Sequence, residues 1–217
     1  MDYNNKVKGY FENIRYEMID FLPKHSKTLL DVGCSEGNFA SYIKKNNEIE
    51  AWGIELMEAH GKIAEKKLDK VLIGDCEKCI PDLPDGYFDV IFFNDVLEHL
   101  VDPYSVLENI KQKLSPNGVI ISSIPNVRYH RVFKSLILKK QWEYTMDGVL
   151  DKTHLRFFTS KSILKMYEDL GFEIILHKGI NKTKSLRPYL YNIPFFFTAM
   201  DMFYQQYATV VKLPAHS

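Results

Sequence analysis

An acid, a run of small residues and a second acid stand near the start of the chain at spacings that suit a nucleoside. The stretch Leu29-Leu30-Asp31-Val32-Gly33-Cys34-Ser35-Glu36-Gly37-Asn38-Phe39 reads as a buried strand, a tight turn and the start of a helix. Gly33, Ser35 and Gly37 stand at alternate positions, so the backbone there is able to approach a ligand closely. A helix starting near Glu36 aims its free N–H groups at that ligand. Glu55 ends the run Ile49-Glu50-Ala51-Trp52-Gly53-Ile54-Glu55, 22 residues after Gly33. An acid closing the second strand at about that distance accepts hydrogen bonds from a ribose. Together these features predict a nucleoside-containing cofactor.

The turn also separates cofactor classes. A dinucleotide fingerprint wants glycines where this chain has Gly33, Ser35 and Asn38, and only the first fits. An acid followed by glycines at alternate positions is satisfied by Asp31, Gly33 and Gly37, with Ser35 the departure. By charge sign, an acid before the turn suits a cationic ligand better than a pyrophosphate. No Gly-Lys-Ser/Thr follows the turn, which excludes a P-loop.

At these residues the chain resembles the class I S-adenosylmethionine-dependent methyltransferases. The resemblance continues in order along residues 28–126. Val71-Leu72-Ile73-Gly74-Asp75-Cys76 is similar to the third strand and its acid, which in that family meets the adenine amino group. Tyr87 to Asp95 resembles the fourth strand, Val96-Leu97-Glu98-His99-Leu100 the motif after it, and Leu114 to Asn126 a turn and the fifth strand. The resemblance implies S-adenosyl-L-methionine as cofactor. It implies a site made of Asp31, Gly33, Cys34, Ser35, Gly37, Glu55, Leu56, Asp75, Cys76 and Asn94. The pattern Tyr-Phe-x-x-x-Arg before the first strand adds Tyr10 and Arg15, whose fork matches the methionine carboxylate. An amphipathic helix with an exposed Arg15 is the plainer alternative.

The elements that must position these residues are legible as alternating apolar runs. Phe11, Ile14, Met18, Phe21 and Leu22 recur at helical spacing, which predicts a helix over residues 8–22 closed by Pro23. Strand and helix candidates alternate from there to residue 124, implying a parallel sheet with helices on both faces. Val106, Leu107, Ile110 and Leu114 mark a helix, and Thr159 or Ser160 caps another that Gly171 stops. Phe172 to Leu176 and Ala208 to Leu213 read as the last strands. The fold expected is one α/β domain over residues 1–217, a doubly wound, mostly parallel seven-stranded Rossmann-like sheet. The resemblance implies that its last strand is antiparallel. The cofactor core spans 28–125. Insertions at 126–158 and 181–203 form a small cap near the carboxyl edge of the sheet, where ligands bind in open α/β folds.

The first insertion carries His130 and His154, the candidate general bases, and Asn94 is expected at the reaction mouth. Thr153-His154-Leu155-Arg156-Phe157-Phe158-Thr159 and Ser123-Ile124-Pro125-Asn126-Val127-Arg128 resemble segments of one subgroup of the family. Many of its members are encoded with surface-polysaccharide biosynthesis, and some are grouped with a methionine-biosynthesis protein. Asp95, Glu98 and His99 fall at i, i+3 and i+4, so one helical turn would aim all three at one point. Some family members bind a divalent ion in this region. Packing and capping is the commoner use of such a spacing, and no metal is expected here.

Composition narrows the partners. The 217 residues hold 28 Lys plus Arg and 28 Asp plus Glu, a balance that argues against a phosphate-tracking surface and so against nucleic acid. Arg128, His130, Arg131, Lys134, Lys139 and Lys140 form one local basic run. Cys76 and Cys79 make a lone pair without the further ligands that zinc needs. Met1 to Lys6 is polar and no apolar run reaches bilayer length, so a cytoplasmic monomer or homodimer without stable membrane insertion is expected. The aromatic run 189–203 reads as core or lid ahead of a dimer face or a membrane contact, the last weaker because no Lys or Arg lies between Tyr189 and Gln206. The expected reaction is O-methylation of a small polar acceptor such as a sugar or glycan precursor. Its rivals are methylation of nitrogen, carbon or a carboxylate, and a non-catalytic S-adenosylmethionine-binding partner protein.

Overall fold

The computed structural model describes residues 14–214. Its strands are Thr28–Val32 (β1), Glu50–Glu55 (β2), Lys70–Ile73 (β3), Phe88–Asn94 (β4), Leu114–Pro125 (β5), Glu173–Lys182 (β6) and Tyr204–Lys212 (β7). They form one sheet in the order β3-β2-β1-β4-β5-β7-β6. The pairs among β1 to β5 are parallel, and β7 runs antiparallel between β5 and β6. This is the doubly wound, mostly parallel sheet expected, with the last strand reversed. The order switches direction between β1 and β4, which opens a crevice beyond their carboxyl ends.

The helices are Tyr16–Ile19 (α1), Asn38–Asn47 (α2), Glu58–Ala64 (α3), Cys76–Cys79 (α4), Pro103–Ile110 (α5), His130–Phe133 (α6), Ser160–Asp169 (α7) and Arg187–Asn192 (α8). Strand alternation sends successive side chains to opposite faces. Leu29, Val90 and Phe92 pack with Phe39, Ala40 and Ile43 of α2. Leu30, Ile91 and Phe93 pack with Val106 and Leu107 of α5 and with Ile163 and Met166 of α7. Both faces are therefore buried, which is why β1 and β4 read as continuous apolar runs. Thr159 caps α7, its hydroxyl accepting from the Ser162 N–H while the Ser162 hydroxyl accepts from the Thr159 N–H. Such a cap contributes about 1 kcal/mol.

Four boundaries differ from the sequence reading. Within the described residues the N-terminal helix is only Tyr16–Ile19, and Arg15 stands before it at ψ 70 with its side chain tied to the sheet end. Residues 8–13 of that predicted helix, Tyr10 among them, lie outside the described residues, and residues 20–22 form a turn rather than a continuation of it. The second helix begins at Asn38, because Ser35 and Gly37 take left-handed φ values of 51° and 72° that no α-helix continues. β6 runs six residues past Leu176 to Lys182, and β7 begins at Tyr204 rather than Ala208, with Lys182 opposite Tyr204. β6 is an edge strand with a weakly alternating burial pattern, so its length left little apolar trace. The second insertion is thus 183–203.

The first insertion is anchored through Asn126. Its amide donates to the Asp201 and Tyr204 carbonyls, both at 3.0 Å, and its side-chain oxygen accepts from the Arg128 N–H at 3.0 Å. Tyr129, Val132, Val149 and Leu150 give the insertion a small core of its own. The second insertion packs beside it, with Phe133 5.4 Å from Tyr191 and 6.0 Å from Phe195 between ring centroids.

Candidate active site

The turn after β1 is shaped by close contacts. Gly33 and Cys34 both donate to the Ile54 carbonyl, at 2.8 and 3.0 Å. Gly33 has φ +73°, and a Cβ there would lie 2.6 Å from Val96 Cγ2, so a side chain is excluded on two counts. Glu55 closes the turn from the neighbouring strand. Its Oε2 accepts from the Ser35 N–H and its Oε1 from the Met57 N–H, each at 2.8 Å. The carboxylate is 8% exposed, and burial raises its pKa against the opposing pull of those backbone donors. Asp31 is buried beside it, and burial together with the Glu55 charge pushes its carboxyl to about 8. Two crowded acids favour a ligand that brings positive charge.

A cavity of about 720 Å³ opens over this turn, a size typical of small-molecule sites. Its lining includes Arg15, Asp31, Gly33, Cys34, Ser35, Glu55, Leu56, Asp75, Cys76 and Asn94, which the sequence singled out. Gly37 caps α2 next to the lining residue Asn38. Asp75 caps α4, accepting from the Glu77 N–H at 3.0 Å, while it also borders the cavity. Burial pushes the Cys76 thiol to about 12 and Cys34 further up, so both are neutral thiols rather than nucleophiles. The Asn94 amide nitrogen and oxygen are both buried and make no hydrogen bond among the described residues. An orphaned carboxamide on a cavity wall fits a polar ligand with both donors and acceptors.

Polar side chains from four parts of the chain meet at the rim. The Arg15 guanidinium contacts Asp95, Glu17 at 2.7 Å and Gln206 at 3.0 Å. Gln206 also donates to Asp95 at 2.5 Å and accepts from Asn181 at 2.7 Å. Arg15, Glu17, Asp95, Asn181 and Gln206 all line the cavity. Asn181 and Gln206 were missed by the sequence reading, because they lie on the last two strands and carry no local motif.

The histidines are arranged differently from the expectation. Among the described lining residues the histidine is His99; neither His154 nor His130 belongs to the wall. His154 is buried behind it, with the two rings 4.7 Å apart and edge-on. The Glu98 carbonyl accepts from the Leu155 and Arg156 N–H groups at 2.8 and 3.0 Å, which draws the insertion onto this turn. Nδ1 of His99 lies 3.0 Å from the Thr153 carbonyl and Nδ1 of His154 lies 3.0 Å from the Val149 carbonyl. A carbonyl accepts only, so each Nδ1 carries the proton and each Nε2 the lone pair. Glu98 is 1% exposed, neither carboxylate oxygen has a hydrogen bond among the described residues, and one lies 3.9 Å from His154 Nε2. Burial pushes its carboxyl to about 8. One donor atom each from Glu98, His99 and His154 fall within 4.8 Å of one another, a spacing that one metal ion could span. Asp95, the third member of the set weighed from sequence, turns away at φ 55° to meet Arg15. His130 is buried against Tyr129 away from the cavity, its ring centroid 4.5 Å from the tyrosine's.

Comparison with known proteins identifies the family. Residues 10–177 match the family described as Methyltransferase domain, and the chain belongs to that family. The family and the S-adenosylmethionine-dependent methyltransferases among similar solved structures indicate S-adenosylmethionine as the cofactor. The chain is 27% identical over 157 residues to a ubiquinone biosynthesis O-methyltransferase of Rickettsia canadensis, covering 70% of this chain and 65% of that protein. It is 25% identical over 174 residues to the Neisseria meningitidis protein of the same name, covering 75% of this chain and 72% of the relative. A phosphoethanolamine N-methyltransferase of Arabidopsis thaliana is 29% identical over 112 residues, 48% of this chain and 22% of its own. Among solved structures, a SAM-dependent methyltransferase from Archaeoglobus fulgidus superposes with a TM-score of 0.65 at 21% identity, covering 90% of this chain and 91% of its own. Among the described residues no helix is long and apolar enough to cross a membrane.

Proposed function

We propose that this chain methylates a hydroxyl oxygen of a small polar acceptor, such as a sugar or glycan precursor, with His99 as general base. The observation that carries the proposal is His99 itself: it lines the same cavity as Asp31 and Glu55, and the Thr153 carbonyl fixes its ring. Glu55 would hold the ribose hydroxyls, Asp75 and Cys76 the adenine edge, and Leu56, half-exposed at the wall, the adenine face. Arg15 would hold the methionine carboxylate, and Asn94 would meet groups near the reacting centre. S-adenosylmethionine supplies a methyl group already activated by its sulfonium. A hydroxyl is a poor nucleophile at neutral pH, so the remaining work for the protein is to accept its proton and exclude water. His154 packs edge-on to His99 and acts as a positioning residue. The names of the Rickettsia and Neisseria relatives support oxygen as the methylated atom. The likeness of residues 123–128 and 153–159 to polysaccharide-associated enzymes supports the sugar.

The test uses S-adenosylmethionine carrying a labelled methyl group and a panel of nucleotide sugars, phenols and amines. Label should appear on a hydroxyl-bearing acceptor, and His99→Ala should lower kcat about 10²–10⁴-fold while cofactor affinity holds. Label confined to amines, or an Ala variant at the parent rate, would overturn the proposal.

A second reading rests on Glu98, a buried carboxylate whose oxygens have no hydrogen bond among the described residues and which stands beside two histidines. A divalent cation held by Glu98, His99 and His154 would acidify the acceptor hydroxyl in place of a base. Loss of activity in EDTA, restored by a divalent ion, would favour it; activity unchanged by EDTA would exclude it.

A further inference from the structure

The two insertions each carry exposed apolar side chains. Leu136, Ile137 and Leu138 are exposed on one segment, and Ile193, Phe196 and Phe197 on the other. The Phe133 contacts to Tyr191 and Phe195 bring the two segments side by side. Phe196 is 88% exposed, a costly position for an aromatic ring.

That exposure is held in place rather than loose. Phe196 and Phe197 take left-handed φ values of 52° and 59°, a strained conformation for bulky side chains. The Phe196 N–H donates to the Ile193 carbonyl at 3.2 Å and the Phe197 N–H to the Asn192 carbonyl at 3.1 Å. Asn192 is fully buried, and its side chain donates to the Pro188 and Ala199 carbonyls and accepts from the Ala199 N–H. A buried amide thus closes the loop that thrusts the ring outward.

Within the two segments that carry this surface the charge has one sign, the nearest acids in sequence being Glu143 and Asp201 just beyond them. Residues 129–142 hold Arg131, Lys134, Lys139 and Lys140, residues 182–200 hold Lys182, Lys184 and Arg187, and neither segment contains an acid. Arg131, Lys134 and Arg187 all act on the ring of His130, so cations of both segments converge. The sequence reading set membrane contact aside because residues 190–205 lack cations; the fold supplies them from the neighbouring insertion. A second copy related by a two-fold axis would set these cations against one another. An anionic lipid surface would accept both the cations and the apolar tips.

We propose that the face formed by Leu136 to Leu138 and Ile193 to Phe197 docks this protein peripherally on an anionic membrane. The second insertion leaves and rejoins the sheet next to Asn181 and Gln206, so docking would bring the cavity rim close to the lipid. This inference concerns binding alone and stands whether or not the proposed acceptor is correct.

The test is co-sedimentation with vesicles of neutral phosphatidylcholine and of phosphatidylcholine mixed with phosphatidylglycerol. Binding to the anionic vesicles should exceed binding to neutral ones about tenfold or more and weaken with salt. Phe196→Ser with Phe197→Ser should weaken it about tenfold or more, with S-adenosylhomocysteine affinity retained as the check on folding. Lys139→Gln with Arg187→Gln, both exposed, should weaken it roughly 30-fold, and this pair decides the matter if the first variant does not fold. Absence of binding, equal binding to both vesicles, or no effect of the charge variant would overturn the proposal. A dimer that the phenylalanine variant breaks, without any vesicle binding, would assign the face to a second copy instead.

Discussion

Replacing Glu55 tests the site and the turn together. In the parent each carboxylate oxygen accepts one backbone N–H, from Ser35 and from Met57, at 2.8 Å. Each oxygen keeps a second lone pair, and these are the proposed ribose acceptors. A hydrogen bond to a charged group is worth about 1.5–3 kcal/mol, so Glu55→Ala should weaken S-adenosylhomocysteine binding roughly 10- to 150-fold. The same variant leaves the Ser35 and Met57 N–H groups without their acceptor, which should cost about 1–3 kcal/mol of stability before any ligand is added. Glu55→Gln separates the two effects. Its amide keeps one acceptor oxygen but turns an NH₂ toward the other backbone donor, so it should lose affinity with a smaller loss of stability than Ala. Calorimetry with S-adenosylhomocysteine reads the first quantity and urea unfolding the second. An Ala variant that binds within twofold of the parent and unfolds at the same urea concentration would refute both roles.

Gly53→Ala tests how tightly β2 packs beneath the turn. Its Cβ would lie 2.5 Å from Cys34 Sγ, 2.9 Å from Leu68 Cδ1 and 3.1 Å from Cys34 Cβ, so the variant should lose about 1–3 kcal/mol in urea unfolding. Adding Cys34→Ala should recover part of the loss, since the thiol goes and the Cβ stays; no recovery would place the strain elsewhere. His177 tests a buried neutral imidazole that contacts Ser160 and Thr209 and stacks on Tyr207. Burial lowers its pKa to about 4, below the unfolded value of 6.5, so the unfolded chain protonates first. Its contribution is therefore whole above pH 6.5 and lost as pH falls toward 4, on the order of 1 kcal/mol at pH 5 after allowing for partial solvent access. His177→Gln should flatten the dependence of the urea midpoint between pH 7 and 5, and an unchanged slope would remove His177 as its source.

What the sequence disclosed follows from how local each signal is. Asp31, Gly33 and Glu55 lie on two neighbouring strands and one turn, so spacing alone brought them together, and all three line the cavity. The β1 and β4 runs were legible because both faces of those strands are buried. His99 was read as part of a helical triad with Asp95, yet the left-handed φ of Asp95 breaks the helix that the triad required. Its neighbour His154 lies 55 residues on and arrives through backbone bonds to the Glu98 carbonyl, which leave no side-chain pattern. Gln206 and Asn181 reach the rim from the antiparallel pair β6 and β7, where Tyr204-Gln205-Gln206 reads as loop rather than strand.

A crystal structure with bound S-adenosylhomocysteine tests the central claim most directly. The ligand should lie in the cavity over Gly33, with its ribose hydroxyls on Glu55, its adenine against Leu56 and Asp75, and its sulfur on the side of Asn94 and His99. Density for the ligand outside this cavity, or in it with the ribose away from Glu55, would contradict the account.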